Sequence, residues 1–193
     1  MCERQGKMSA HGRRRRTTSR LIQYATKEIC RGMSQSTMGH MKKLRSLASY
    51  LKSVRRVVLE YKFQGKCNEL TAYSDSDWAG CRRSAKSTNG GVILRGSHCL
   101  KTWSSTQKSI TLSSAEAELV AAVKASTELI GSIQMELAWG YTTTGEVYVD
   151  SSAALAVVAR KGNGKLRHVK VGCLWIQEKQ RVVSCSTRKP QES

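Results

Sequence analysis

Three carboxylic acids, Asp75, Glu118 and Asp150, are placed where they could share one site. Asp75 lies in a segment that alternates like a β-strand, Glu118 lies in the first turns of a predicted helix, and Asp150 ends a short strand. The three are separated by 43 and 32 residues. If the two strands are neighbours and the helix packs on them, the three side chains converge.

Such a group of acids is suited to bind divalent metal ions. Carboxylates held close together repel each other and become protonated unless they share a cation. Oxygen ligands favour a hard ion, Mg²⁺ in the first place and Mn²⁺ in the second. Two such ions about 4 Å apart can activate a water, hold a phosphate and stabilise the leaving oxygen. The predicted chemistry is hydrolysis of a phosphodiester bond.

Three of the acids nearby also have structural interpretations. Glu116 completes a capping box that begins at Ser113, with its side chain turned back to the backbone of that serine. Asp77 suits a turn or surface position near Gly80. Asp150 is followed by two serines and could be the N-cap of a helix. For Asp150 the pattern leaves both roles open.

The elements that must position these acids follow a mixed α/β pattern. Strands are predicted at Glu69–Ala79, Gly90–Arg95, His98–Ser104, Glu146–Asp150 and Arg181–Cys185. Helices are predicted from Ser113 to about Trp139, over Ser151–Ala159 and over Leu166–Lys179. The helix from Ser113 has its apolar stripe at Leu119, Val123, Ile130, Ile133 and Leu137. The expected fold is a mixed five-stranded sheet flanked by helices.

The N-terminal third carries no comparable chemistry. Apolar residues over 21–51 recur at three- and four-residue steps, which predicts two helices joined near Gly39 and a scaffold role. Arg55–Tyr61 is predicted to be a strand or an extended connector. Residues 1–20 include four consecutive arginines and predict a basic disordered arm outside the fold.

The charge is concentrated in the flanks. The 193 residues carry a net charge of +19. Residues 1–66 hold 17 basic against three acidic residues, residues 67–160 hold eight against nine, and residues 161–193 hold eight against two. Basic flanks around a nearly neutral middle suit a polyanionic partner such as nucleic acid. The alternative interpretation is a poorly selected or wrongly bounded sequence with basic tails.

Composition also excludes several classes of protein. No apolar run approaches the roughly 18 residues of a membrane span, so a soluble protein without a membrane partner is expected. The seven cysteines are odd in number and form no CxxC pair, which argues against a zinc site or a disulfide framework. With no secretory signal, an intracellular, reducing compartment is expected, and no small-molecule cofactor.

Five short motifs follow one another over roughly a hundred residues. They are YSDSDWAG at Tyr73–Gly80, STNGG at Ser87–Gly91, LSSAEAEL at Leu112–Leu119, VDSSAA at Val149–Ala154 and RHVKV at Arg167–Val171. In this order they resemble the ribonuclease H region at the end of the Pol polyproteins of copia-type LTR retrotransposons. Five motifs in one order are specific, whereas any one of them alone would be weak.

The resemblance implies a ribonuclease H-like fold that hydrolyses the RNA strand of an RNA–DNA hybrid during reverse transcription. It implies that Asp75, Glu118 and Asp150 are the catalytic, metal-binding acids, in agreement with their spacing, and that they hold two ions. The implied partners are the hybrid and the rest of a retrotransposon polyprotein. The residues implied to bind nucleic acid are Arg167, His168, Lys170, Ser87 and Asn89.

The predicted organisation has four parts: a basic arm over 1–20, a helical connection over 21–66, a ribonuclease H-like domain over 67–186 and a tail over 187–193. The connection resembles the end of the reverse transcriptase region.

This sequence also departs from the family's pattern. The family normally carries a fourth acid on a final helix, in an Ala-Asp pair followed by Thr-Lys, and no such motif follows Cys185. A lysine, Lys170, stands where the family usually has aspartate. The domain is therefore expected to lack its final helix. The alternative function is a catalytically impaired, nucleic-acid-binding remnant of a transposon polyprotein.

Overall fold

The computed structural model describes residues 22–54, 61–81, 84–159, 170–179 and 183–187. The chain divides into two compact units, Met1–Tyr61 and Lys62–Ser193. No helix among the described residues is long and apolar enough to cross a bilayer.

The first unit contains two helices, α1 over residues 22–30 and α2 over Met38–Ser53. Both were predicted, but their junction lies at residues 31–37 and not at Gly39. Thr37 determines where α2 begins: its hydroxyl accepts the His40 N–H, and the His40 ring accepts the Thr37 N–H in return. Of the segment Arg55–Tyr61, only Tyr61 is described, and it is not in a strand.

The second unit is a five-stranded mixed sheet with helices, which confirms the predicted fold class. The strands are β1 Glu69–Asp77, β2 Thr88–Arg95, β3 His98–Thr106, β4 Thr144–Val149 and β5 Val183–Thr187. The helices are α3 Ser114–Ala138, α4 Ser152–Ala159 and α5 Lys170–Lys179. The strand order is β3-β2-β1-β4-β5; β1 to β3 are antiparallel neighbours, and β1, β4 and β5 run parallel. The fold therefore places β1 next to β4, as the convergence of the acids requires.

Several boundaries differ from those predicted. Strand β1 ends at Asp77 and not at Ala79, because Ala79 takes a positive φ of 51° and the Gly80 N–H bonds back to the Asp77 carbonyl. Strand β5 ends at Thr187, two residues later than predicted. The segments 166–169 and 188–193 lie outside the described residues, so the start of the last predicted helix and the predicted absence of a final helix remain untested.

The core lies between α3 and one face of the sheet. Its buried side chains include Leu70, Ala72, Ile93, Leu119, Ala122, Ala125, Leu129, Val147 and Val149. The part of α3 that faces the sheet is richer in alanine than the predicted stripe, and Leu137 of that stripe is exposed. Small residues let the helix approach closely: a Cβ on Gly145 of β4 would lie 2.7 Å from the Ile133 side chain. This contact sets α3, which carries Glu118, directly above β1 and β4.

Candidate active site

Asp75 and Asp150 occupy equivalent places on two parallel neighbours. The register of β1 and β4 pairs Tyr73 with Tyr148, and each acid lies two residues beyond its tyrosine. The two tyrosine rings stack, with centroids 5.3 Å apart, which shows that they share one face of the sheet. Alternation puts Asp75 on this face as well. Both acids are exposed at the same end of the strand pair.

Glu118 reaches the same end from the first turns of α3. Its side chain is buried, with 9% of the residue exposed, and its Oε1 atom accepts two hydrogen bonds from Ser76. The Ser76 backbone N–H donates over 3.1 Å and its hydroxyl over 2.9 Å. The other oxygen, Oε2, is buried without a hydrogen-bond partner among the described residues. Glu118 is thus fixed through one oxygen while the second stays available.

The charges of Asp75 and Asp150 act on Glu118. Burial raises the pKa of Glu118 above its ordinary value of 4.5, the negative charges of Asp150 and Asp75 raise it further, and the two hydrogen bonds from Ser76 oppose the rise. The pairing of β1 with β4 and the hydrogen bonds from Ser76 to Glu118 bring the three acids singled out in the sequence to the same end of the strand pair.

The site fits a divalent cation in its donor chemistry. In the ranges that the structure describes, no three acidic, histidine or cysteine side chains form a ready-made metal-binding group. The buried Oε2 of Glu118, unpartnered among the described residues, is nevertheless an atom that a cation would satisfy, and carboxylate oxygens are the ligands that Mg²⁺ and Mn²⁺ prefer. The ligand roles of Asp75, Glu118 and Asp150 remain a prediction.

The structural interpretations of the neighbouring acids are resolved. Ser113 caps α3 by accepting the Glu116 N–H, but the Glu116 carboxylate accepts the N–H of Leu112 over 2.9 Å. The Glu116 side chain was predicted to turn back to the Ser113 backbone. It bonds instead to the backbone of the preceding residue, Leu112, so the prediction was wrong. The cap of α4 is Ser151, whose hydroxyl accepts the Ala154 N–H over 3.1 Å, and not Asp150.

Asp77 lies at the turn that ends β1, as predicted. Its side chain is exposed, and its carbonyl accepts the N–H of Gly80.

The two polar residues implied to bind nucleic acid in the middle of the chain are buried. Ser87 is 0% exposed; its hydroxyl accepts the Ala79 N–H and forms a 2.9 Å hydrogen bond with Thr111. Asn89 is 5% exposed, and its side-chain oxygen accepts from Gln107. Both side chains therefore serve internal hydrogen bonds, and their contact with nucleic acid stays a prediction.

The basic residues of the last motif cannot be placed in the same way. Arg167 and His168 lie outside the described residues, and Lys170 begins α5. Their nucleic-acid contacts remain a prediction.

Sequence reasoning missed the polar residues that support Glu118. Ser76 could have been found, because alternation places it on the same face of β1 as the buried Leu70 and Ala72, towards the helix. Gln107 gave no such signal. It follows the end of β3, and only tertiary packing buries it.

Among solved structures, the chain is similar to LC11-RNase H1, isolated from compost. The TM-score is 0.50 at 17% sequence identity, and the match covers 64% of this chain and 86% of that one. At this identity the likeness concerns the fold. The fold of the second unit is thus that of a ribonuclease H.

The sequence itself is similar to transposon proteins of Arabidopsis thaliana. It is 30% identical over 153 residues to the retrovirus-related Pol polyprotein from transposon RE1, and 30% identical over 151 residues to that from transposon RE2. The matches cover 78% and 77% of this chain but 10% of each relative. No family model matches. The chain is homologous to a segment of retrovirus-related Pol polyproteins and spans about a tenth of their length.

Proposed function

We propose that this chain is a metal-dependent endoribonuclease that hydrolyses the RNA strand of an RNA–DNA hybrid. The observation that carries the proposal is the meeting of Asp75, Glu118 and Asp150 at one end of the β1 and β4 pair, with a buried Glu118 oxygen left without a partner among the residues described. The ribonuclease H fold and the homology to Pol polyproteins support the same reaction class.

The three proposed metal ligands differ in solvent exposure, and their proposed roles differ accordingly. Asp75, Glu118 and Asp150 would hold Mg²⁺ or Mn²⁺, two ions in the proposed site, which when bound supply an activated water and stabilise the leaving oxygen. Asp75 and Asp150 are exposed, so a phosphodiester can approach them from solvent. Glu118 lies behind them, and Ser76 orients its carboxylate through Oε1.

The proposed substrate follows from charge and homology. The basic flanks, residues 1–66 and 161–193, favour binding to a nucleic-acid backbone through counterion release. Preference for an RNA–DNA hybrid, a role in reverse transcription and origin from a copia-type element are proposed from the motifs and the Pol homology. The remainder of such a polyprotein is the proposed protein partner. An intracellular, reducing location is proposed as well: within the described part of the chain Cys30, Cys67, Cys81, Cys99 and Cys185 form no disulfide.

The test is cleavage of a hybrid labelled separately on each strand, in Mg²⁺ or Mn²⁺, by the purified chain and by Asp75→Asn. The expected result is cleavage of the RNA strand alone, lost in the variant and in chelator. A folded wild-type protein that leaves both strands intact in both metals would refute the proposal.

A second candidate is a nucleic-acid-binding domain without nuclease activity. It is favoured by the net charge of +19 together with the lack, among the residues described, of a ready-made three-ligand group. It predicts hybrid binding that weakens steeply with salt, without cleavage in either metal. Salt-titrated binding measured beside the cleavage assay separates the two candidates.

A further inference from the structure

Glu118 is connected to the sheet by a closed path of hydrogen bonds and strand pairing. Ser76 donates to the Glu118 carboxylate and is paired across strands with Asn89. Asn89 accepts from Gln107, and Gln107 donates to the Ala117 carbonyl over 2.9 Å. Since Ala117 directly precedes Glu118, the path returns to its starting residue. Both the side chain of Glu118 and the helical turn that carries it are therefore tied to β1 and β2.

The orientation of the Gln107 amide is determined by its neighbours. Its Nε2 group faces two acceptors, the Asn89 side-chain oxygen and the Ala117 carbonyl, and each takes one of its two hydrogens. The flipped amide would place an oxygen against both acceptors. In the present orientation Gln107 Oε1 is buried without a partner within the described part of the chain. The two bonds donated by Nε2 favour this orientation over the flipped one.

The Gln107 backbone is anchored independently. Its N–H donates to the Ser87 carbonyl over 2.8 Å, and the residue is 3% exposed. Gln107 is therefore a rigid connection between β2 and the first turns of α3 rather than a surface residue.

We propose that Ser76, Asn89 and Gln107 form a positioning ring that holds the Glu118 carboxylate in a fixed orientation. The ring rests on the proposed function, because it prepares Glu118 to bind metal. None of its three members is proposed to touch metal or substrate. Supports of this kind around metal ligands change metal affinity when they are removed, typically by 10- to 100-fold.

The first experiment compares two serines of the same strand. Ser76→Ala removes the hydroxyl that donates to Glu118, and Ser74→Ala removes a buried hydroxyl that has no hydrogen-bond partner among the described residues. Ser76→Thr restores a hydroxyl. Mn²⁺ binding to the purified chain is measured by calorimetry, followed by hybrid cleavage against Mn²⁺ concentration.

We expect Ser76→Ala to weaken Mn²⁺ binding about tenfold and to raise by a similar factor the Mn²⁺ concentration for half-maximal cleavage. The cleavage rate at saturating Mn²⁺ should fall much less. Ser74→Ala should match the wild type, and Ser76→Thr should recover most of the loss. Equal Mn²⁺ affinity in the Ser76→Ala and Ser74→Ala variants would overturn the ring.

A second experiment tests the positioning ring in metal-free protein. Gln107→Leu keeps the side-chain volume but removes both donated bonds, and Gln107 does not bond to Ser76 itself. Hydrogen exchange of the Ser76 amide, which donates to Glu118, should become about tenfold faster. Exchange of the Val147 amide in β4 should stay unchanged. Unchanged exchange at Ser76 in a folded variant would contradict the proposed connection.

The results also separate the ring from the proposed function. If the wild type binds Mn²⁺ but cleaves no hybrid, and the two serine variants still differ, the proposed function fails and the ring stands. If the wild type cleaves and the serine variants behave alike, the ring fails and the proposed function stands. If the wild type binds no Mn²⁺ at all, the proposed function fails, and hydrogen exchange at Ser76 in the Gln107→Leu variant decides whether the ring stands.

Discussion

Helix α3 carries a buried glutamate near each end, and the two are held in opposite ways. Glu136 is 4% exposed and has both oxygens engaged: Oε1 pairs with Arg95 over 3.2 Å and Oε2 accepts from the Thr143 hydroxyl. Glu118 is 9% exposed; among the described residues its hydrogen bonds come from the neutral donors of Ser76, and the nearby charges of Asp150 and Asp75 are negative. The two residues have the same chemistry, but within the described part of the chain Glu136 has an ion-pair partner and Glu118 has none.

The comparison teaches how a structural acid differs from a functional one. A buried carboxylate that serves stability is paired with a cation and fully hydrogen-bonded, as Glu136 is. A buried carboxylate whose neighbours are acids lowers stability unless something from outside compensates its charge. Glu118 belongs to the second kind, and this supports its proposed role in binding metal.

The largest expected difference between the two glutamates is in catalysis. Glu118→Gln should lower hybrid cleavage by about a thousandfold, because a ligand of the proposed metal is lost and metal stabilises the transition state by several kcal/mol. Glu136→Gln should leave the rate per folded molecule within about twofold. The measurement is single-turnover cleavage at saturating Mn²⁺, with folding checked by circular dichroism. Equal losses in the two variants would remove the distinction.

The second difference is in stability, where the order reverses. Glu136→Gln should lower the free energy of unfolding by about 2 kcal/mol, because it leaves the partly buried Arg95 without its counter-charge. Urea denaturation of the metal-free protein measures it. Arg95→Leu removes the other partner of this ion pair and serves as the matched variant. If the free energy of unfolding falls by less than about 0.5 kcal/mol in both variants, the pair does not stabilise the fold.

The smallest expected effect is a gain in stability from Glu118→Gln. In metal-free protein at pH 7 the variant should be more stable by about 1 kcal/mol, because it removes a buried charge that faces Asp75 and Asp150. Mg²⁺ should then stabilise the wild type and not the variant.

The stability gain from Glu118→Gln should depend on pH, and the direction of this dependence follows from the raised pKa of Glu118. Folded protein holds the Glu118 proton more tightly than unfolded protein does, so the wild type loses stability as the pH rises from about 4.5 through the raised pKa. The advantage of Glu118→Gln should therefore grow over this window and disappear below it. Urea denaturation at a series of pH values tests this; an advantage that does not change with pH would contradict it.

Much of the fold was predictable because its signals are local. The alternation around Tyr73 and Asp75, the capping signal at Ser113 and the short strand before Asp150 each depend on neighbouring residues. Contacts between residues distant in sequence gave no such signal. The hydrogen bonds of Ser87 with Thr111 and of Asn89 with Gln107 are of this kind, and no local pattern predicted them.

The amino-acid sequence by itself determined which residues could do chemistry and in which elements they lie. Strand alternation and helix caps act within a few residues, so the placement of Asp75, Glu118 and Asp150 on their elements needed no tertiary information. Only the tertiary structure decided what surrounds each acid. The pairing of β1 with β4 brought Asp75 beside Asp150, and the packing of α3 gave Glu118 two hydrogen bonds from Ser76 and no ion-pair partner among the described residues. Whether a buried charge is neutralised depends on contacts between residues far apart in the chain, and such contacts exist only once the chain has folded.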